Sequence, residues 1–470
     1  MEEERRNSNV MSEMKHVLMV PYPSQGHLNP MLQFSKRLTT KGVRSTMVIT
    51  KFISKSMHLH QLSSLPTSIQ FDTISDGYDQ GGFSHAESIS SYLSTMKAIG
   101  SENLKELIKK YNESSQHPID CIVYDSFLTW VLDVTKEFGI IGATFFTHMC
   151  AVDFTFYCVH NGILKVPVSE VPICIEGHPL LELKDTPSFV CNPACYPAYF
   201  DLVMNQFSNV HKSDIFLVNS FYKLEHQVVD SMSKLCPMLT IGPTVPSSYL
   251  DNAIPNDTEN NLNLFRLELT HSNWLNEKAP RSVIYVSFGS MVSFTSEQME
   301  ELAFGLIATG FNFLWVITDL EREKLKKEIF AEIHKDGKGL IVNWIPQLGV
   351  LSSNAIGCFL THSGWNSTIE ALCLGVPMVA MPQWTDQPMN AKYVEDVWKV
   401  GVRVKVDEDN GVVRREEIER CIRKVMGNDH GKELRRNADK WRELAVEAVS
   451  EGGTSDNNIN EFVNLIKMRS

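Results

Sequence analysis

A histidine and an aspartate each follow an apolar run in the first third of the sequence. His27 lies in the loop PYPSQGHLNP after the run His16–Tyr22, and Asp125 comes directly after Cys121–Tyr124. Such runs are typical of central parallel strands, whose carboxyl ends form one edge of a sheet. At a helix N-terminus we expect a neutral imidazole that accepts a proton, oriented by the carboxylate. The alternatives remain open, because a lone loop histidine is usually structural and Asp125 alone would cap a helix over Phe127–Phe138.

A second candidate site lies in the stretch Trp344–Gln387. It contains an apolar run, Ile356–Leu360, a short polar turn, Thr361–Asn366, and then a helical pattern. A strand that passes through a small-residue loop into a helix presents unpaired N–H groups and a partial positive charge to an anion. This pattern predicts a diphosphate site that needs no lysine.

Side chains around that turn are suited to the other parts of a sugar nucleotide. Trp344 offers a flat face to a base, and Glu370 can accept a hydrogen bond from a ribose hydroxyl. Asp386 and Gln387 follow the next strand, where they can bind vicinal hydroxyls. Ser290 lies in the loop after the strand-like run Ser282–Phe288 and can reach a phosphate.

The stretch resembles the donor-binding signature of the plant family-one UDP-dependent glycosyltransferases, the UDP-glucosyltransferases of secondary metabolism. The shared elements are Trp, His, Gly-Trp-Asn-Ser, Glu and a terminal Asp-Gln, although Ser353 and Ser363 stand where His and Cys are usual. The resemblance implies uridine contacts from Trp344, Gln347 and Glu370, phosphate contacts from His362, Asn366 and Ser367, and sugar contacts from Trp365, Asp386 and Gln387. It also supports His27 and Asp125 as the catalytic pair.

Strand-like and helical runs alternate twice along the chain, which predicts two Rossmann-like doubly wound α/β domains facing across a cleft. The resemblance implies the GT-B architecture and a last helix that packs back on the first domain. Asn29 is expected to cap the first helix, with Pro30 at its first position. The predicted parts are a disordered tail (1–15), an acceptor-binding domain (16–243), a linker (244–273), a UDP-sugar-binding domain (274–452) and a returning helix (453–470).

The acceptor pocket is the least determined part. Thr147, His148 and Met149 follow a strand-like run, and Tyr78 lies in a loop after another, so all four are candidate acceptor residues. The aromatic region Cys191–Phe200 is a further candidate. A core or surface role is about as common for residues of these types.

Composition narrows the class of protein. A net charge of −12 disfavours nucleic acid and anionic membranes as partners, and ten scattered cysteines favour a reducing compartment. No apolar passage is long and uncharged enough to predict a membrane span, and the charged N-terminus is no signal peptide. We expect a cytoplasmic monomer without a metal or bound cofactor, since Asp407-Glu-Asp409 is explained as a polar turn.

The resulting hypothesis is an inverting glucosyltransferase that moves glucose from UDP-glucose to a hydroxyl of a small hydrophobic acceptor, such as a steroid, terpenoid or phenolic. Two alternatives remain open. One is glucose-ester formation on a carboxylate, which needs little base catalysis, and the other is a non-catalytic carrier of a hydrophobic ligand. An NAD-dependent oxidoreductase is disfavoured, since no G-x-G-x-x-G follows the first strand.

Overall fold

Two parallel β-sheets organise the chain. The computed structural model describes residues 14–57, 69–113, 118–255, 257, 262, 264, 268 and 271–468. Within these residues, the first sheet has the order β3-β2-β1-β4-β5-β6-β7 and the second has the order β10-β9-β8-β11-β12-β13. The predicted α/β class with two doubly wound sheets is confirmed.

The strands of the first sheet are β1 (Lys15–Val20), β2 (Val43–Thr50), β3 (Ile69–Ile74), β4 (Cys121–Asp125), β5 (Ile141–Phe146), β6 (Ile215–Val218) and β7 (Met238–Thr240). Those of the second are β8 (Val283–Ser287), β9 (Asn312–Val316), β10 (Gly339–Val342), β11 (Ile356–Thr361), β12 (Met378–Ala380) and β13 (Gly401–Arg403). Neighbouring strands pair in parallel throughout, so helices must return the chain across the sheet faces.

The helices of the first half are α1 (Gln25–Thr40), α2 (Lys51–Ser56), α3 (Ile89–Glu113), α4 (Thr129–Glu137), α5 (Cys150–His160), α6 (Ser188–Cys191), α7 (Pro197–Asn205) and α8 (Tyr222–Met232). Those that follow are α9 (His271–Asn276), α10 (Ser296–Thr309), α11 (Asp319–Arg322), α12 (Lys327–Lys335), α13 (Gln347–Leu351), α14 (Trp365–Cys373), α15 (Gln387–Lys392), α16 (Arg415–Met426), α17 (Asn428–Val449) and α18 (Thr454–Met468).

The first helix begins earlier than predicted. It starts at Gln25 after Ser24, so Pro30 lies inside the helix and not at its first position. The expectation that Asn29 caps the helix is therefore wrong, and His27 stands in the first helical turn and not in the preceding loop. The helix tolerates Pro30 because the carbonyl group that loses its intrahelical partner, that of Gly26, accepts another hydrogen bond.

The last helix, α18, returns to the first sheet. Phe462 is fully buried and packs against Phe34 of α1 at 5.8 Å between ring centroids. Asn458 donates to the Thr240 carbonyl oxygen of β7 at 2.9 Å, and Asp456 forms an ion pair with Lys41 at the end of α1. The final helix is thus part of the hydrophobic core around β1 and α1.

The predicted tail falls almost entirely outside the described residues, and the predicted linker is described only in part, so their boundaries stay predictions. Of the tail 1–15 only the last two residues are described, and Lys15 already belongs to β1. In the linker, Asp257 forms a buried ion pair with Lys36 of α1 at 2.9 Å. Arg37, the next residue of α1, binds both carboxylate oxygens of Asp251 at 2.7 Å. This part of the linker is therefore fastened to the first half.

Candidate active site

A cavity of about 560 Å³ lies between the carboxyl ends of the two sheets. It brings together most of the residues predicted from the sequence, which lie more than 300 positions apart at the extremes. Those that line it are His27, Thr147, His148, Ser290, Trp344, Gln347, His362, Trp365, Asn366, Ser367, Glu370, Asp386 and Gln387. Asp125 stands behind His27, while Tyr78 and Met149 are not in the lining.

His27 and Asp125 form a close pair on the first-half side of the cavity. The His27 Nδ1 atom lies 2.6 Å from Asp125 Oδ2, and Asp125 is fully buried at the end of β4. The second carboxylate oxygen accepts the Phe127 N–H at 3.1 Å, which fixes the carboxylate plane. Because Nδ1 faces Asp125, Nε2 is the ring nitrogen left for a molecule in the cavity. The residue types and distances are those of a general base with its orienting carboxylate.

The freed carbonyl of Gly26 joins the two halves next to this pair. Asn366 Nδ2, in the first turn of α14, donates to the Gly26 oxygen at 2.8 Å. A proline at position 30 cannot bond back to that oxygen, so the acceptor is available to the other half. Asn366 was expected to contact phosphate. Here its amide group binds the backbone beside His27, and the phosphate role stays a prediction.

The donor side is built on the N-terminus of α14. Gln347, at the start of α13, donates to Ser367 Oγ at 3.0 Å and to Glu370 Oε2 at 2.7 Å. These bonds hold both side chains on the cavity wall, one helical turn from the open N–H groups. The helix end supplies partial positive charge to a diphosphate where no lysine or arginine lines the cavity among the described residues.

His362 packs between Gly289 and Gly364, and its ring leaves little room for a side chain at either position. A Cβ atom at Gly364 would come within 2.6 Å of His362 Nε2, and one at Gly289 would come within 3.0 Å. Gly289 also has φ +70°, which favours glycine. Burial lowers the pKa of His362 to about 4, although the Asp386 carboxylate acts in the opposite direction. The ring is therefore neutral near pH 7 and can donate one hydrogen bond without carrying charge.

The loop after β12 places Asp386 and Gln387. Gln387 Oε1 accepts the N–H groups of Gln383 and Trp384 at 2.9 and 3.1 Å, which leaves its amide group for other contacts. Asp386 Oδ2 accepts from Asn390 at 2.6 Å. These bonds fix the loop, so that the Asp386 carboxylate can accept and the Gln387 amide can donate hydrogen bonds to neighbouring hydroxyl groups.

The two predicted tryptophans differ in environment. Trp344 lies two residues after β10, and it is partly exposed in the cavity. Trp365 is 3% exposed, and its indole N–H donates to the Asn219 carbonyl oxygen across the halves at 2.7 Å. Its indole N–H is therefore occupied by a structural hydrogen bond, and a direct sugar contact stays a prediction.

Two of the four predicted acceptor residues lie elsewhere. Met149 is fully buried where it precedes α5, because the chain turns there and directs the side chain into the core. Tyr78 packs on Tyr92 at 5.3 Å between ring centroids and its hydroxyl lies 3.4 Å from Ser91. Its partner Tyr92 on α3 lines the cavity, whereas Tyr78 itself does not. Thr147 and His148 do line it, and the acceptor roles of all four residues stay predictions.

Sequence reasoning missed an aromatic wall. The aromatic residues that line the cavity and were not singled out include Tyr22, Phe127, Phe189 and Trp384. Three of them follow strands β1, β4 and β12, so attention to every residue after a strand end would have found them. Phe189 sits on a short irregular helix and stacks on Tyr199 at 5.8 Å, a contact that no sequence period signals.

The sequence matches a known protein family over most of its length. The family described as "UDP-glucoronosyl and UDP-glucosyl transferase" matches residues 10–435. The chain belongs to this family. The predicted resemblance to the plant family-one UDP-glycosyltransferases is confirmed, and the protein is a glycosyltransferase of the GT-B fold with a UDP-sugar as its co-substrate.

Similar proteins agree over nearly the whole length. A flavonol 7-O-β-glucosyltransferase of Arabidopsis thaliana, UGT74F1, is 50% identical over 98% of this chain and 100% of its own. The mogroside I-E synthase of Siraitia grosvenorii is 43% identical over 96% of this chain and 98% of its own. The crystal structure of Os79 from O. sativa in complex with UDP superposes with a TM-score of 0.90, at 39% identity, and covers 96% of this chain and 100% of its own.

Among the described residues, no helix combines the length and apolarity that crossing a membrane requires.

Proposed function

We propose that this member of the family is an inverting glucosyltransferase that moves glucose from UDP-glucose to a hydroxyl of a small aromatic or otherwise apolar acceptor. The observation that carries the proposal is the position of His27. Its Asp125-bound imidazole lines the same cavity as the N-terminal turn of α14 and is tied to that turn through the Gly26–Asn366 bond.

The roles of the side chains follow from their chemistry. His27 Nε2 takes the proton of the acceptor hydroxyl while the oxygen forms a bond to the anomeric carbon. The bond from that carbon to the UDP oxygen breaks, and its electron pair leaves with the β-phosphate, toward the N–H groups of α14. Attack opposite the leaving group inverts the configuration, so an α-linked donor gives a β-glucoside. Asp125 stabilises the imidazolium that forms.

Donor recognition is proposed for the side chains already bound to one another. Trp344 stacks on the uracil, Glu370 and Gln347 hold the ribose side, and neutral His362 with Ser290 and Ser367 donates to phosphate oxygens. Asp386 and Gln387 bind sugar hydroxyls. The relative UGT74F1 is named as a glucosyltransferase, which supports glucose as the sugar.

His27→Ala tests the proposal. Loss of the general base should lower kcat with a phenolic acceptor by about 10² to 10⁴, measured as UDP release, while calorimetric UDP affinity changes little. His211→Ala, at an exposed histidine of the same half, is the matched control and should behave as wild type.

Three outcomes contradict parts of the proposal. Full activity of His27→Ala toward hydroxyl acceptors excludes the base role. Absence of acceptor-dependent UDP release from the wild-type protein, across a panel of phenols, terpenoids and steroids, favours a carrier. A product that mild alkali cleaves to a carboxylic acid indicates glucose-ester formation and not a β-glucoside.

A further inference from the structure

A second histidine–aspartate pair lies in the same cavity and has no part in the mechanism above. His148, two residues beyond β5, places Nδ1 3.3 Å from Asp153 Oδ1. Asp153 is fully buried in the first turn of α5, and its Oδ2 atom has no hydrogen-bond partner among the described residues. A buried carboxylate with one side unsatisfied is costly unless a cation stands beside it. Burial raises the pKa of the Asp153 carboxyl, and the hydrogen bond and charge of His148 act in the opposite direction. An ionised Asp153 therefore favours a charged His148 beside it.

The electrostatic balance at His148 follows from its surroundings. Burial is the largest single influence on the pKa of His148 and lowers it. The hydrogen bond and charge of Asp153, together with the carboxylates of Asp386 and Asp125 on other elements, act in the opposite direction, and the net result is a pKa above the ordinary value.

The rest of the cavity offers no other cation to an acceptor. No lysine or arginine lines it within the described parts of the chain, and His362 on the donor side is neutral. The wall around His148 is aromatic, with Phe127 at 5.8 Å and Phe156 at 6.1 Å between ring centroids. A negatively charged group on an acceptor would therefore be attracted to the His148 imidazole.

We propose that His148, held by Asp153, is a specificity-determining residue that binds an ionised acid group, and that preferred acceptors are aromatic hydroxy acids. The inference rests on the proposed function. Phe127 lies between the two imidazoles, with its ring centroid 5.1 Å from that of His27 and 5.8 Å from that of His148. A flat acceptor stacked near Phe127 places its hydroxyl at His27 and its acid group at His148.

The test compares acceptors that differ only in charge. The probes are the three hydroxybenzoates and the three matching hydroxybenzamides, with UDP-glucose as donor, and the readout is the acid-to-amide ratio of kcat/KM. Wild type should prefer at least one acid over its amide. His148→Gln keeps a neutral donor of similar reach and should lower that ratio about 10-fold, since a charge-assisted bond becomes a neutral one.

Two further variants separate charge from shape. Asp153→Asn leaves the imidazole in place but removes its charged partner, so the ratio should fall in the same direction, with the rate on amides reporting whether the variant folds. His160→Gln makes the same substitution at the exposed end of α5 and should leave rates and ratio unchanged.

Several results overturn the inference. They are an acid-to-amide ratio that His148→Gln leaves unchanged, no acid preference in the wild type, or an alkali-labile ester as the product from the acids. Each of these leaves the proposed function standing if the amides are glucosylated on their hydroxyl. Failure to glucosylate any amide or other neutral phenol counts against the proposed function itself.

Discussion

Removing the buried cation Lys36 should loosen the helix that carries His27. Lys36 Nζ lies 2.9 Å from Asp257 Oδ1, and both side chains are 2% exposed. The second carboxylate oxygen accepts the Ser247 N–H at 2.6 Å. Lys36→Met keeps most of the aliphatic stem and leaves the Asp257 charge buried without its cation.

The expected magnitude follows from burial. Breaking a buried ion pair by removing one partner costs about 3–5 kcal/mol, which corresponds to a change of about 150-fold to 5,000-fold in a local opening equilibrium. The pair Lys212–Asp133 has the same 2.9 Å separation but is 48% exposed on both sides. Lys212→Met should therefore cost about 0–1 kcal/mol and is the matched control.

Hydrogen exchange read by mass spectrometry measures the effect where it occurs. Protection of the α1 peptide, Gln25–Thr40, should fall in Lys36→Met and not in Lys212→Met, and kcat should fall with UDP affinity retained. The double variant Lys36→Met/Asp257→Leu removes both charges and should recover most of the protection. Equal protection in Lys36→Met and Lys212→Met would refute the reasoning from burial.

Three further outcomes are expected. The folded state keeps the pKa of His362 at about 4, below the ordinary 6.5. Between these two pH values the unfolded chain binds more protons than the folded one, so the free energy of unfolding falls as the pH drops from 6.5 to about 4. His362→Asn should make the urea midpoint depend less on pH in this range, and an unchanged pH dependence would contradict the assignment. Phe462→Ala should cost about 3–5 kcal/mol through a cavity against Phe34, seen as a lower melting temperature than that of the exposed-site variant Met468→Ala. Gln387→Glu keeps the oxygen that holds the loop but loses the amide donor, so competition between UDP-glucose and UDP-galactose should become less selective by several fold while UDP affinity changes less; retained selectivity would exclude a sugar contact by that amide.

The fold was predictable because its strands are continuous apolar runs. β1 and β11 are buried along almost their whole length, and that pattern is visible in the sequence without knowledge of their neighbours. Element ends were less predictable. Pro30 suggested a helix start, but the Asn366 amide satisfies the carbonyl that the proline leaves free, and that partner lies 340 positions away.

The candidate site also has a part that was predictable from local sequence and a part that was not. The residues of Trp344–Gln387 lie within one strand–turn–helix–strand unit, so local spacing was enough to bring them together. The acceptor wall comes from loops of both halves, and its members depend on how those loops fold. Tyr78 and Met149 are outside the lining because Tyr78 packs on Tyr92 of α3 and Met149 is buried in the core.

The chain crosses between the two halves twice, once in the segment after β7 and once between α17 and α18. A domain that is connected to its partner at two separated points rotates most easily about the axis through those points, which is a hinge motion. Any opening that admits substrate and releases product is therefore constrained toward one axis. The Gly26–Asn366 bond spans the two halves beside His27, so a swing about that axis would also separate the proposed base from the donor side of the cavity.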